Sequence, residues 1–191
     1  MRIRAPLCSR CGAPTAWPVA RCLECAGRRL SFTSARAAVE YTGVGRALIS
    51  AWKERGLRPV GALAAELAAE VVSRPAADVI TYIPPDGDRS VRRGHHPPQR
   101  LAHELAGLWG LDEVALLRRA RPVSRQTGLS LAERRRNVRG AFAPAGRPAP
   151  ASVVLVDDVY TTGSTVAAAA SALRTAGART VHVVTFARAV R

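Results

Sequence analysis

Lysine is almost missing from this sequence: Lys53 stands alone, and every other basic residue is arginine. Acidic residues are scarce as well, 14 against 29 basic ones, which leaves a formal net charge of +15. A GC-rich coding bias would trade lysine for arginine without creating the positive excess. The imbalance therefore points to polyanionic partners, either nucleic acid or pyrophosphate-bearing metabolites, against the plainer reading of a soluble protein that is simply basic. Aromatic residues make up only 5%, too few to assemble a long base-stacking platform of the single-strand-binding kind. No run of 18 apolar residues occurs, so no membrane span is expected. The opening MRIRAPLCSRCG has no apolar h-region, so a secretory signal is not expected and the location is read as cytoplasmic. Internal repeats are absent too.

What is present suits a globular fold. A chain of 191 residues, 48% hydrophobic, holds one domain with a proper core and room for a small appendage. The four cysteines fall at Cys8, Cys11, Cys22 and Cys25, as CSRC and CLEC. Two C-x2-C turns each offer two thiolates, and four thiolates close a tetrahedron around one structural Zn2+ with no site left for water. Disulfides or redox cysteines are the weaker alternatives in a reducing compartment. Four thiolates and one Zn2+ add −4 + 2 = −2, which lowers the formal +15 to +13. The segment is too short for a core of its own, so metal binding is expected to fold it. The expected division is a zinc knuckle over 1–31 and an α/β domain over 32–191.

Beyond the knuckle, FTSARAAVEYTG (32–43) reads as a strand and turn, and VGRALISAWKERG as a helix with Val44, Leu48 and Trp52 on one face. A second helix from Pro59 is expected to keep Leu63, Leu67 and Val71 together. DVITYIPP (78–85) is a buried strand broken by Pro84 and Pro85. A basic loop, a helix over 99–110 and a strand near 113–119 follow. RARPVSRQTGLSLAERRRNVRGAF (119–142) is loop, short helix and strand, with Ser130 and Glu133 as a capping box. Strand 152–157, helix 163–176 and strand 179–189 complete the chain. Near-continuous apolar strands alternating with helices imply a parallel sheet covered on both faces.

The stretch VVLVDDVYTTGST carries the chemistry. Ligands in open parallel sheets sit beyond the carboxyl ends of strands, and Asp157 and Asp158 are expected at such an end. Thr161, Thr162, Gly163, Ser164 and Thr165 form the turn into a helix, whose unpaired N–H groups and dipole suit a phosphate. Gly163 allows close backbone approach. Two carboxylates beside a phosphate pocket make sense when the phosphate is carried by a sugar whose vicinal hydroxyls they accept from. The combination spells a ribose 5-phosphate; a P-loop is excluded because G-K-[ST] is missing. The bland alternative is a strand–turn–helix with an acidic cap.

That stretch resembles the phosphoribosyl-diphosphate (PRPP) loop of type I phosphoribosyltransferases. The cysteine knuckle, a Y-T-G turn before the helix bearing Lys53, and Arg93, Gly94, Gln126, Leu129, Glu133, Arg134, Asn137, Gly140 and Phe142 resemble the ComF family over nearly the whole chain. The resemblance implies a phosphoribosyltransferase fold and an association with DNA uptake in natural competence. Where that family tends to have R-G-F-N-Q, this chain has Arg93-Gly94-His95-His96-Pro97. His95 and His96 are expected as exposed residues at a helix start, with a metal or proton-transfer role as the alternative.

Transfer from PRPP breaks the bond from C1 to pyrophosphate through an oxocarbenium-like state, and Mg2+ is the expected partner. Arg89, Arg92 and Arg93 are the candidates for the pyrophosphate end, since guanidinium forks suit phosphate oxygens. Arg134, Arg135 and Arg136 read as a solvated helix end or a polyanion contact. No general base stands out. Two functions compete: Mg2+-dependent phosphoribosyl transfer to an unknown acceptor, or a non-catalytic competence accessory binding single-stranded DNA or competence-machinery proteins, with PRPP as regulator or unused.

Overall fold

The computed structural model describes residues 2–57, 59–86, 95–122 and 131–190, apart from the side chains of Leu131, Ala132, Arg134 and Arg135. Gln126, Leu129 and the Ser130 half of the expected capping box lie outside them.

Near-continuous apolar strands need cover on both faces, and the fold supplies it. Strands β1 (Ser34–Glu40), β2 (Val79–Tyr82), β3 (Asp112–Glu113), β6 (Ser152–Tyr160) and β7 (Thr180–Arg188) form a sheet in the order β1-β7-β6-β2-β3, every pair parallel. Strands β4 (Leu117–Arg119) and β5 (Phe142–Pro144) make a small antiparallel pair beside it. The expected strand near 113–119 is thus two strands in different sheets.

Helices α1 (Gly43–Arg55), α2 (Pro59–Val71) and α3 (Pro97–Trp109) cover one face, burying Ile49, Trp52, Leu101 and Leu105 against Val154, Val156 and Phe186. The other face carries Val153, Leu155 and Val183 against Val166 and Leu173 of α5 (Ser164–Thr175), together with Phe32 and the cysteine segment. The alternation along β6 delivers successive valines and leucines to opposite cores, as a strand's period of two requires. The short helix α4 (Leu131–Val138) precedes β5. Among the described residues no helix is long and apolar enough to cross a membrane.

Two expected helix faces are rotated. In α1 the buried residues are Gly45, Ile49 and Trp52, while Val44 is exposed. Gly45 is the reason: a Cβ there would lie 2.3 Å from the Glu40 carbonyl oxygen, so the first turn rests on the end of β1 through a residue without a side chain. In α2 the buried stripe is Gly61, Ala64, Ala65 and Ala68, whereas Leu63 is exposed. These sit at i, i+3, i+4 and i+7, a true helical face made of small residues that let α2 lie close on its neighbours. Helix α3 starts two residues earlier than expected, with Pro97 and Pro98 in the first turn, where a missing N–H costs nothing.

The rotated α2 face has a measurable consequence. Leu63→Ala is expected to move stability by less than about 0.5 kcal/mol, as a surface change. Ala65→Leu overpacks a closed contact and is expected to cost about 1–3 kcal/mol. Urea unfolding of the two variants checks this; a larger loss for Leu63→Ala would restore the leucine face.

Candidate functional site

Strand β2 stops early, and that exposes the site. Its register with β6 runs from Val79↔Val153 to Tyr82↔Val156, after which Pro84 and Pro85 end it. Strand β6 continues to Tyr160, paired from Asp157 onward only with β7. The expected strand end at residue 157 is therefore corrected: Asp157 and Asp158 lie inside a strand whose β2 edge has been vacated. From β6 the chain crosses to β7 on one side, and from β2 to β3 on the other. The crevice between them is a topological switch point, where open α/β sheets take ligands.

Both carboxyl groups are nearly closed off, at 9% and 7% exposure for Asp157 and Asp158. The Asp158 N–H donates to Asp157 Oδ1 at 2.9 Å, fixing that rotamer. Lys53 Nζ of α1 sits 2.6 Å from Asp158 Oδ2. Burial works against the Lys53 ammonium, but the Asp158 carboxylate outweighs it and raises its pKa. Asp157 is pushed up to about 7, first by burial and then by the charge of Asp158, with Lys53 and Arg119 opposing. Lys53 is thus the partner of the acidic pair, which its solitude in an arginine-rich chain only hinted at. Arg119 of β4, which sequence reasoning missed, adds positive potential while its Nε donates to the Pro84 carbonyl.

His95 and His96 are not exposed helix-start residues. His95 Nε2 lies 2.6 Å from the Trp52 carbonyl oxygen, tying the entry of α3 to α1 beside Lys53. His96 is the N-cap residue of α3, packs edge-on against the Tyr82 ring, and is held down to about 4, chiefly by burial. It is neutral at pH 7, and its Nδ1 is buried without a hydrogen-bond partner among the described residues.

Beyond the acidic pair, Thr162, Gly163 and Ser164 are buried and Thr161 and Thr165 half-buried. Thr162 Oγ1 lies 2.9 Å from Ser164 Oγ and accepts the Ser164 N–H at 3.4 Å, while the N-cap residue of α5 is Gly163, which has no side chain to cap with. Gly163 has φ +72°, and a Cβ there would meet Tyr160 Oη at 2.3 Å. Left-handed backbone and close packing both demand glycine here. The Tyr160 hydroxyl is buried without a hydrogen-bond partner among the described residues. Arg28 Nη2 donates to the Thr162 carbonyl at 2.5 Å. The turn is thus a preformed cradle at a helix N-terminus, with hydroxyls and two carboxyl groups at its rim. The candidates Arg89, Arg92 and Arg93 lie outside the described residues, as do the side chains of Arg134 and Arg135; Arg136 is exposed.

The cysteines form a second centre. All four are unbridged, and their sulfurs lie within 4.8 Å of one another: Cys8–Cys25 at 3.6 Å, Cys11–Cys22 at 3.5 Å and Cys22–Cys25 at 4.0 Å. A tetrahedron with Zn–S bonds of about 2.3 Å has S···S edges of roughly 3.8 Å, so the four thiols fit that ion. Burial raises the Cys8 thiol, but the N–H groups of Cys11, Cys22 and Arg10 outweigh it and bring it down to about 6. Burial pushes Cys11 up. Arg188, which sequence reasoning also missed, is buried beside them and donates to Glu24 Oε2 and the Cys11 carbonyl, each at 2.6 Å.

Asp157 allows a signed test. Its carboxyl binds a proton more tightly folded (about 7) than in its ordinary state at 3.8. The stability it contributes is present below pH 3.8 and is lost as pH rises through 7. Asp157→Asn keeps an oxygen for the Asp158 N–H and removes this penalty. The variant is expected to be more stable than wild type at pH 8, by up to about 4 kcal/mol, with the difference nearly gone at pH 4. Equal urea midpoints at pH 8 would show that the carboxyl is not strained by its burial.

Comparison with known proteins agrees with this architecture. Residues 49–190 match the phosphoribosyl transferase domain family. The DNA utilization protein YhgH of Salmonella typhi is 33% identical over 96% of this chain and 84% of its own. Competence protein F of Haemophilus influenzae is 28% identical over 96% and 85%, respectively. Among solved structures, a B. subtilis glutamine phosphoribosylpyrophosphate amidotransferase with ADP and GMP aligns at TM-score 0.44 and 31% identity, over 65% of this chain and 25% of that one. The chain belongs to the phosphoribosyl transferase domain family, as a ComF-type member.

Proposed function

We propose that the crevice at the end of β6 binds PRPP with Mg2+ and transfers its phosphoribosyl group to an acceptor the sequence does not name. The observation that carries the reading is the buried Asp157–Asp158 pair leading directly into the Gly163 cradle. Asp157 and Asp158 accept the ribose hydroxyls. The turn from Thr161 to Thr165 takes the 5-phosphate, with backbone N–H groups at the start of α5 and the threonine and serine hydroxyls as donors. Mg2+, held jointly by pyrophosphate oxygens and a carboxylate, would supply positive charge to the leaving group.

Lys53 has a specific part. Its ammonium pairs with Asp158 Oδ2 at 2.6 Å. A ribose hydroxyl takes that place when the ligand arrives, and the freed ammonium turns to the pyrophosphate. Arg119 lies within electrostatic reach of the same carboxylates and reinforces that end. Arg89, Arg92 and Arg93 remain candidates for it by sequence. The cysteine segment, 1–31, serves as a structural zinc knuckle on the transferase domain over 32–191, in the cytoplasm.

A second reading has its own support. The net charge of +15 and the words "DNA utilization" and "competence" in the relatives' names favour a DNA-uptake accessory binding single-stranded DNA or competence-machinery proteins, with PRPP as regulator or unused.

Calorimetric titration of the zinc-loaded protein with PRPP and Mg2+ separates the readings. Saturable binding is expected, lost by at least about 100-fold in the Asp157→Asn, Asp158→Asn double variant and weakened about 10–100-fold in Lys53→Gln. Absence of binding at millimolar PRPP, with salt-sensitive binding of single-stranded DNA, would put the second reading first.

A further inference from the structure

The two centres described above are joined by a chain of specific contacts. Arg188, the last residue of β7, is 1% exposed. Its guanidinium faces the cysteine segment on one side: the Cys11 carbonyl at 2.6 Å, the Glu24 carboxylate at 2.6 Å and Cys11 Sγ at 3.8 Å. On the other side it lies over the Tyr160 ring, 4.4 Å from the centroid. Tyr160 is its register partner across the sheet and closes β6. The Tyr160 ring is the floor of the turn, since it fills the space a Cβ on Gly163 would need. Phe32, next to the cysteine segment, packs edge-on against the same ring at 6.3 Å between centroids.

A second arm runs in parallel. Arg28 follows Cys25 by three residues, and its guanidinium spans from the Glu24 carbonyl at 3.3 Å to the Thr162 carbonyl at 2.5 Å. The turn is therefore held from below by Arg188 through Tyr160, and at its carbonyl by Arg28. Both arms are anchored in the cysteine segment.

Charge makes this linkage sensitive to metal. A buried guanidinium needs counter-charge. With the four cysteines as thiolates on one Zn2+ the centre carries −4 + 2 = −2, directly beside Arg188. Among the described residues Glu24 is the carboxylate in contact with Arg188, and the bound centre's −2 would add to that counter-charge. An N–H···S contact from a neighbouring cation is the kind of outer interaction that orients a thiolate ligand and is in turn held by it.

We propose that Arg188 and Arg28 are positioning residues that couple the four-cysteine metal centre to the 160–165 turn, so that metal occupancy sets the order of that turn and its affinity for a phosphate-bearing ligand. The affinity half rests on the PRPP reading; the order half does not.

The test uses the full chain loaded with Co2+, whose tetrathiolate absorption reports the metal centre directly. Hydrogen–deuterium exchange is followed in peptides covering 158–166, with peptides from α3 as the internal reference, in the loaded chain and after the ion is chelated. In wild type, chelation is expected to speed exchange in 158–166 at least about tenfold with α3 unchanged, and equal exchange with and without the ion overturns the proposal. Arg188→Met and Arg28→Met are expected to keep the cobalt absorption, to speed exchange in 158–166 at least about tenfold, and to leave α3 unchanged. PRPP–Mg2+ affinity is expected to fall at least about tenfold in both. Arg188→Lys, which keeps the charge without the fork, is expected to fall between. Arg29→Met, an exposed neighbour, is expected to match wild type. Should Arg188→Met lose the cobalt absorption, Arg28→Met carries the test, because its guanidinium meets the turn and no sulfur. Unchanged exchange at 158–166 in a variant with an intact cobalt spectrum overturns the coupling. Faster exchange in a protein that never binds PRPP upholds the coupling and overturns only the ligand reading.

Discussion

Two adjacent carboxyl groups buried within β6, beyond the point where β2 stops, are the feature around which the rest is arranged. Desolvation alone would protonate both or expel them. The structure instead supplies one ammonium at 2.6 Å from Asp158, one N–H on Asp157 Oδ1, and the more distant charge of Arg119. That compensation is partial, and Asp157 remains raised. A group held in such an unfavourable state contributes little to folding, so its presence calls for a task that repays the strain. The early end of β2 is the matching constraint on the backbone. If β2 ran as far as β6, its strand would cover the very edge from which a ligand must enter.

The second constraint is the small size of the cysteine segment. It shares its core with Leu155, Val166 and Leu173 and has no interior of its own. What it contributes is a cluster of thiols next to arginines, the buried Arg188 on Cys11 and the half-buried Arg36 on the carbonyls of Cys8 and Ser9. With an ion bound, the centre's charge of −2 would be offset by Arg188 at the carboxyl end of β7 and by Arg36 on β1. The same end of the sheet carries the Gly163 turn. The four-cysteine cluster and the Gly163 turn are thus neighbours because β6 and β7 finish together.

What could be read from sequence was what is local. The acidic pair, the hydroxyl-rich turn and the two C-x2-C knuckles act through residues adjacent in the chain, and their order is nearly their geometry. The parallel sheet followed from apolar strands of the right length. The faces of α1 and α2 were misjudged because large residues were counted as buried and small ones as neutral; close approach through Gly45 and Ala65 reverses that rule. The length of β6 depended on where its partner β2 stops, which is not written in β6 itself. Lys53 drew notice by being the one lysine. Arg28, Arg119 and Arg188 could not, because among so many arginines nothing local separates a buried one from a solvated one.

That abundance also bears on what the charge means. Several guanidiniums are committed to carbonyl oxygens within the protein: Arg10 to Leu30, Arg28 to Thr162, Arg36 to Ser9, Arg74 to Trp109 and Arg121 to Asn137. They staple loops that short strands and a small core would leave loose, as Arg forks do well. Their charge still contributes to the long-range field that draws polyanions, but some of their donors are already engaged. A nucleic-acid strand would gain steering from all of the positive excess and contacts from only part of it. Arginine richness here therefore has a structural origin as well as an electrostatic one, and +15 taken alone overstates the case for a polyanion-binding surface. The carboxylate pair differs in kind: one member is tied to α1 through Lys53, while Asp157 stays raised by its burial, a strain that the packing of the fold does not relieve.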